Sequence, residues 1–336
     1  MTPSVSAFRA FRIHNDDSGY RAGVESMTAD ALSPGEVLIK TAYSSVNYKD
    51  ALAGTGKGKI LRQFPLNGGI DVAGHVVAST DPAFKEGDAV LCTGSGLSET
   101  RDGGYGEYAR LEARWTIPLP SGLSLRESMI LGTAGFTAAL ALLRMQDSRQ
   151  TPALGPIAVT GASGGVGQLA IDIFSRAGYE VHAISGKADH FDFLRSLGAT
   201  ACIDRHQLAF SGKPMDSVRF GGALDNVGGA MLAGLLPLIA PYGNVAICGN
   251  AGGIAFDSTV MPFIIRGASL LGIASAGTAR HIRDEVWRHL ASDWKPQHLE
   301  RIATREITFD ELPEVFVHML AGDSFGRTLL RIGNTV

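Results

Sequence analysis

The residues with the clearest chemical potential lie in one short run, Val159-Thr160-Gly161-Ala162-Ser163-Gly164-Gly165-Val166-Gly167. Glycines at this density let backbone N–H groups close on a pyrophosphate, and the start of a following helix favours its charge. The run sits between the apolar segment Ile157-Ala158-Val159-Thr160 and a helical pattern over 166–177, which is the setting a dinucleotide-binding turn requires. Ala162 departs from the usual Gly-x-Gly-x-x-Gly spacing, so the close approach falls to Gly164 and Gly167. Ser163, Gly164, Gly165 and Val166 are the expected phosphate contacts; the same glycines in a plain strand–helix connection would bind nothing.

Roughly 20 residues beyond such a loop, NAD-selective proteins carry a carboxylate that accepts the ribose 2′-hydroxyl. This chain instead reads Ile184-Ser185-Gly186-Lys187, and Arg205 follows the next strand. A hydroxyl and two cations without a carboxylate suit a 2′-phosphate, so the expected cofactor is NADPH. The alternative for Lys187 is a solvated surface lysine.

These loops need a scaffold, and the chain supplies two textures. Up to about residue 121 it reads as short strands separated by glycine turns, including 36–40, 72–77, 89–92, 108–111 and 115–120, an irregular β-barrel pattern. From 122 it turns helical, with two helices expected around a bend at Gly132 and Gly135. Apolar strands then alternate with helices (157–160, 180–184, 222–225, 244–248, 269–273), the mark of a parallel sheet covered on both faces. The expected fold class is α/β, a Rossmann-type doubly wound sheet over residues 122–275 beside a barrel domain over 1–121 and 276–336. The late strand Ser269–Ile273 would leave an exposed edge, so a homodimer is expected there.

Composition narrows the partners. The 336 residues carry a net charge of −3, which argues against nucleic acid and anionic lipid as partners. Cys92, Cys202 and Cys248 lie far apart, supporting neither a disulfide framework nor a cysteine-rich zinc site and pointing to the cytoplasm. Met1–Ser6 has no basic start feeding an apolar core, so no signal peptide is expected, and the longest apolar runs are broken by Pro237, Pro241 and Gly243.

Taken together, the β-rich front, the central glycine loop and the returning chain resemble the medium-chain dehydrogenase/reductase superfamily. Val46-Asn47-Tyr48-Lys49-Asp50, Thr55-Gly56-Lys57-Gly58-Lys59-Ile60, Gly132-Thr133-Ala134-Gly135-Phe136-Thr137-Ala138 and Met261-Pro262-Phe263-Ile264-Ile265-Arg266 look like its zinc-free, NADPH-dependent branch. That branch holds quinone-oxidoreductase-like proteins and acrylyl-CoA reductases. The resemblance implies a GroES-like front domain and no metal: zinc-dependent members use a Cys in the early loop and a Gly-His-Glu segment, where this chain has Val46–Asp50 and Gly69-Ile70-Asp71.

The resemblance also implies site residues. Tyr48 and Asn47 correspond to positions near the nicotinamide and are the catalytic candidates; Tyr48 would donate to the substrate carbonyl or the cofactor amide, or else be a buried, satisfied tyrosine. Asp50 is expected to orient Asn47 or a backbone amide rather than act as an acid. Thr133 and Thr137 would touch nicotinamide or ribose, or cap a helix. Asn226 and Asn250 end strands beside the ribose, Ile264 and Ser275 line the nicotinamide end, and Arg327 is a cation expected to face the ligand. Lys57, Lys59 and Arg62 would pair with CoA phosphates, or form a solvated basic loop. The implied reaction is NADPH-dependent reduction of an activated C=C bond, with acrylyl-CoA as substrate. Quinone reduction is the enzymatic alternative, and a non-catalytic, crystallin-like NADPH-binding protein the alternative of another class.

Overall fold

The computed structural model describes residues 6–333, so the expectation of no leader in Met1–Ser6 lies almost wholly outside the described residues. Two compact units emerge: Met1–Thr133 with Ala276–Glu285 and Leu299–Val336, and Ala134–Ser275 with Val286–His298.

The first unit opens with an antiparallel hairpin, β1 (Phe8–Asp16) and β2 (Gly19–Met27), onto which β4 (Leu66–Asn67) pairs. Its larger sheet is built on β3 (Val37–Val46) and β5 (Asp71–Ser79), continued by β6 (Ala89–Thr93) and β8 (Ile117–Pro118), with β7 (Tyr108–Leu111) also on β3. The end of the chain returns to the other side of β3 as β16 (Arg327–Arg331), flanked by β15 (Ala303–Ile307). Inward faces of these strands bury Val37, Ile39, Val72, Val90 and Leu111 in one cluster. Helix α1 (Tyr48–Thr55) packs Ala51 and Ala53 into a second cluster with Phe11, Tyr105 and Phe316.

The second unit is a six-stranded, all-parallel sheet in the order β11-β10-β9-β12-β13-β14: β9 (Ile157–Thr160), β10 (Val181–Ser185), β11 (Ala201–Asp204), β12 (Gly222–Asp225), β13 (Asn244–Ile247) and β14 (Ser269–Gly272). The order reverses between β9 and β12, and in such sheets ligands gather beyond the strand ends at that reversal. Ile157, Ala158 and Val159 are wholly buried, as a strand covered on both faces must be.

Helix α2 (Leu125–Asp147) is broken at Gly132, whose φ of 48° and ψ of −153° are not helical, while Gly135 continues as helix. Its length and apolarity would suffice to cross a membrane. However, 83% of its apolar window is buried inside the protein, which marks a core helix. The units part at Thr133/Ala134 rather than at residue 122. The first stretch of α2 is tied into the first unit, where the Ile130 carbonyl accepts from Arg327 and Thr133 donates to Asp71. The segment 286–298 likewise goes with the second unit, because the buried Asp172 carboxylate accepts from the N–H groups of Gln297 and His298 at 3.0 and 2.8 Å.

Candidate active site

In the second unit, the glycine-rich turn joins β9 to helix α3 (Gly165–Arg176), with Gly164 as its N-cap. The first N–H groups of a helix have no partner within it, so the turn presents donors. A Cβ on Gly167 would lie 2.4 Å from the Gly161 carbonyl oxygen, so only glycine lets α3 close on the turn; on Gly164 it would meet nothing nearer than 3.3 Å. The turn therefore keeps an open face, and the fit to a pyrophosphate is good.

The tip of β10 joins the same site. The Ser185 hydroxyl donates to Ser163 Oγ at 3.1 Å and accepts from the Lys187 N–H at 3.1 Å, while the Ser185 carbonyl accepts from the Arg205 N–H at 3.0 Å. The Arg205 guanidinium lies over Gly186, where a Cβ would come 2.5 Å from Nε. The structure thus gathers Ser163–Val166, Ser185, Gly186, Lys187 and Arg205 at one strand end, with exposed Arg205 and no carboxylate at the β10 tip. This group fits a 2′-phosphorylated nucleotide.

Asn226 reaches the same end, where its amide donates to the Thr160 carbonyl at 2.7 Å and its oxygen accepts from Cys248 Sγ at 3.0 Å. Burial, and then Asp225, push the Cys248 thiol up to about 12, so it stays protonated. Asp225 ties the turn together, accepting from Thr160 Oγ1 at 2.6 Å and from the Gly228 N–H at 2.7 Å. Asn250 is exposed after β13, Ser275 is partly buried, Thr137 is buried in α2, and Ile264 is 70% exposed on the helix Met261–Arg266.

The first unit holds a buried polar cluster that the sequence reading did not assemble. Asp71, wholly buried at the start of β5, accepts from Ser45 Oγ at 2.6 Å and Asn47 Nδ2 at 2.8 Å. It also accepts from the Thr133 N–H at 3.0 Å and the Thr133 hydroxyl at 2.6 Å. Arg327, 3% exposed, donates to the Ile130 and Val46 carbonyls and to Asn47 Oδ1, with Nη2 4.0 Å from Asp71 Oδ2. Asp50 completes the group, accepting from the Asn47 and Ile70 N–H groups, each at 2.9 Å. A side chain on Gly132 would strike Asp71, Ser45 and Arg327 at 2.6–2.9 Å, so the break in α2 is what lets the cluster close.

Three expectations change here. Arg327 does not face a ligand; it is interior, held by three acceptors. Asn47 uses both N–H bonds on Asp71 and Asp50 and its oxygen on Arg327, so it caps α1 and has no donor left for a substrate. Thr133 is committed to Asp71. Tyr48 is the reverse case, 47% exposed at the start of α1 rather than buried. Lys57, Lys59 and Arg62 lie exposed in the loop after α1.

Among the described residues no group of three or more His, Cys, Asp or Glu is placed to hold a metal ion. Ile70 has no donor atom and the Asp71 oxygens are taken by hydroxyl and N–H donors, so a zinc ion does not fit.

Burial, then the neighbouring Asp71, push Asp50 from 3.8 up to about 7. Between those values the unfolded chain releases a proton that the folded protein keeps. The group's contribution to folding is therefore complete below about pH 4 and falls by about 1.4 kcal/mol per pH unit until about pH 7. Urea unfolding of Asp50→Asn should lack that decline; an unchanged pH slope would show that Asp50 titrates normally.

Residues 33–121 match the alcohol dehydrogenase GroES-like domain and residues 165–292 the zinc-binding dehydrogenase domain. The chain is 42% identical to the putative quinone oxidoreductase YhfP of Bacillus subtilis over 97% of its own length and 99% of that protein. The crystal structure of Bacillus subtilis yhfP with NAD bound aligns at a TM-score of 0.93 over 97% of this chain and 100% of that one, at 41% identity. Identity to the probable acrylyl-CoA reductase AcuI of Escherichia coli is 41%, covering 96% of this chain and 99% of that one. The yhdH oxidoreductase of Salmonella enterica in complex with NADP aligns at a TM-score of 0.92 and 42% identity, over 97% and 100% of the two chains.

Proposed function

The chain belongs to the medium-chain dehydrogenase/reductase superfamily, in the zinc-free branch of quinone-oxidoreductase-like proteins and acrylyl-CoA reductases, and we propose that it reduces acrylyl-CoA to propanoyl-CoA with NADPH. The observation that carries the cofactor is the β10 tip, where Ser185, Lys187 and Arg205 gather around Gly186 with no carboxylate. The substrate follows from near-full-length identity to a probable acrylyl-CoA reductase. One acrylyl-CoA, one NADPH and one proton give propanoyl-CoA and NADP⁺.

When bound, NADPH supplies a hydride for the β-carbon of the thioester. The turn at Ser163–Val166 holds the pyrophosphate, and Lys187 and Arg205 hold the 2′-phosphate. The Tyr48 hydroxyl donates to the thioester carbonyl oxygen, where negative charge builds as the β-carbon is reduced. No metal shares that task. A proton from water then completes the α-carbon. Asn47, Asp50, Asp71 and Arg327 shape the turn that carries Tyr48. In this reading the GroES-like domain is the catalytic one and the Rossmann domain the nucleotide-binding one.

Lys57, Lys59 and Arg62 pair with the CoA phosphates. Changing Lys57 and Lys59 together to Ala should raise KM for acrylyl-CoA about tenfold or more and leave KM for a small quinone unchanged, since only remote binding is lost. Equal effects on both would mark the loop as solvated lid. The quinone alternative stands on the name of the Bacillus subtilis relative.

The proposal includes a cytoplasmic homodimer. β14 ends the sheet, and the helix Met261–Arg266 that leads into it leaves Ile264 and Ile265 70% and 63% exposed. Pairing β14 with its copy extends the sheet and covers that face. Sedimentation showing only monomer at micromolar concentration would remove the dimer; recovery of the protein outside the cytoplasm on cell fractionation would remove the location.

A further inference from the structure

The network beneath Tyr48 is larger than a helix cap needs. An Asn N-cap with an acidic residue three positions later already satisfies the first turn of a helix, and Asn47 and Asp50 provide that pair. The protein adds a wholly buried carboxylate from β5 and a guanidinium from β16, both aimed at the residues just before Tyr48. Arg327 Nη1 donates to the Val46 carbonyl at 3.2 Å and to Asn47 Oδ1 at 3.0 Å, while Asp71 accepts from Asn47 Nδ2 at 2.8 Å. An apolar cluster of the same volume would be as stable or more so, because removing these charges from water is costly. Stability alone does not account for the arrangement.

Its geometry does constrain one thing. The Asn47 amide has a cation on its oxygen and carboxylates on its nitrogen, so turning it over would set oxygen against carboxylate and nitrogen against guanidinium. The Asn47 backbone N–H is held as well, by Asp50. The segment entering α1 is thereby fixed from three elements, β5, β16 and α1 itself. The next residue is Tyr48, half exposed, and among the described residues its hydroxyl has no hydrogen-bond partner.

We propose that Arg327 and Asp71 are positioning residues that, through Asn47, hold the first turn of α1 so that the Tyr48 hydroxyl meets the substrate carbonyl at a fixed place. The proposal rests on the reading of Tyr48 as the carbonyl donor. Arg327→Lys is the direct variant: an ammonium keeps the charge but cannot reach the Ile130, Val46 and Asn47 oxygens together.

The test is a double-mutant cycle on kcat for acrylyl-CoA reduction, read beside amide hydrogen exchange in α1. Tyr48→Phe should slow the wild-type protein about 100-fold, as loss of one oxyanion donor does. In the Arg327→Lys background it should cost no more than about twofold, because the hydroxyl is already displaced. Exchange at Lys49–Ala51 should rise about tenfold in Arg327→Lys while exchange along α3 stays constant. Losses that multiply, or exchange in α1 that does not change, overturn the positioning role and leave Tyr48 as donor. Full activity of Tyr48→Phe in the wild-type background overturns the donor reading, and the positioning role with it. Should Arg327→Lys fail to fold, Ser45→Ala removes one buried hydroxyl from Asp71 and carries the same cycle.

Discussion

Replacing Asp71 by Ala will destabilise the first unit by about 3–5 kcal/mol, the cost of leaving a buried charge without its counter-ion. The carboxylate accepts from Ser45, Asn47 and Thr133, and the facing Arg327 guanidinium is 3% exposed. Burial lowers the pKa of Arg327, and the Asp71 and Asp50 charges oppose that shift. With Asp71 gone, Arg327 loses the larger of those compensations, and four donor groups on Ser45, Asn47 and Thr133 are left facing a void. A domain's whole stability is about 5–15 kcal/mol, so the variant should unfold at markedly lower denaturant than the wild type. Urea titration measures it. A loss below about 1 kcal/mol would mean that the cluster reorganises around water and is not the rigid unit described here.

The second large effect concerns the nucleotide. Changing Lys187 and Arg205 together to Ala should weaken NADPH binding about 100-fold or more, two charge-assisted hydrogen bonds at about 1.5–3 kcal/mol each, and leave NADH almost untouched. NADH carries no 2′-phosphate for the two cations to hold, so its affinity has no reason to fall. The Bacillus subtilis relative was crystallised with NAD, which makes the direct comparison of the two cofactors in this chain the informative one. Calorimetric titration of the wild type and the double variant with each cofactor decides it. A parallel loss for NADH would mean that the two cations hold the pyrophosphate or the sheet end, not the 2′-phosphate.

Much of the second unit was legible because its signals are local. The glycine turn, the apolar strands at 157–160 and 222–225, and the cations after β10 and β11 are all written in short windows, and a parallel sheet then brings their ends together. The first unit was harder. The hairpin of β1 and β2 went unread because β2 is largely exposed and shows no apolar alternation. Helix α1 was missed as a helix although Asn47 and Asp50 stand at capping-box spacing, a signal available in the sequence. Arg327, a cation near the C-terminus, has no local feature in the sequence that marks it as interior. Only the pairing of β16 with β3 carries it beneath Asn47. Asp71 was noted only as the residue where a zinc-dependent relative has another, and its partners come from β3, the turn before α1 and the α2 break. No periodicity encodes that convergence.

The central claim is that this chain reduces an activated alkene thioester with NADPH. The most direct measurement mixes purified protein, treated with a chelator, with NADPH and acrylyl-CoA, and follows loss of the reduced nicotinamide absorbance together with appearance of propanoyl-CoA. The account predicts stoichiometric conversion, one propanoyl-CoA for each NADPH consumed, at a rate well above that with a small quinone and undiminished by the chelator. Unchanged acrylyl-CoA and NADPH beside brisk quinone reduction, or activity abolished by the chelator and restored by zinc, would contradict it.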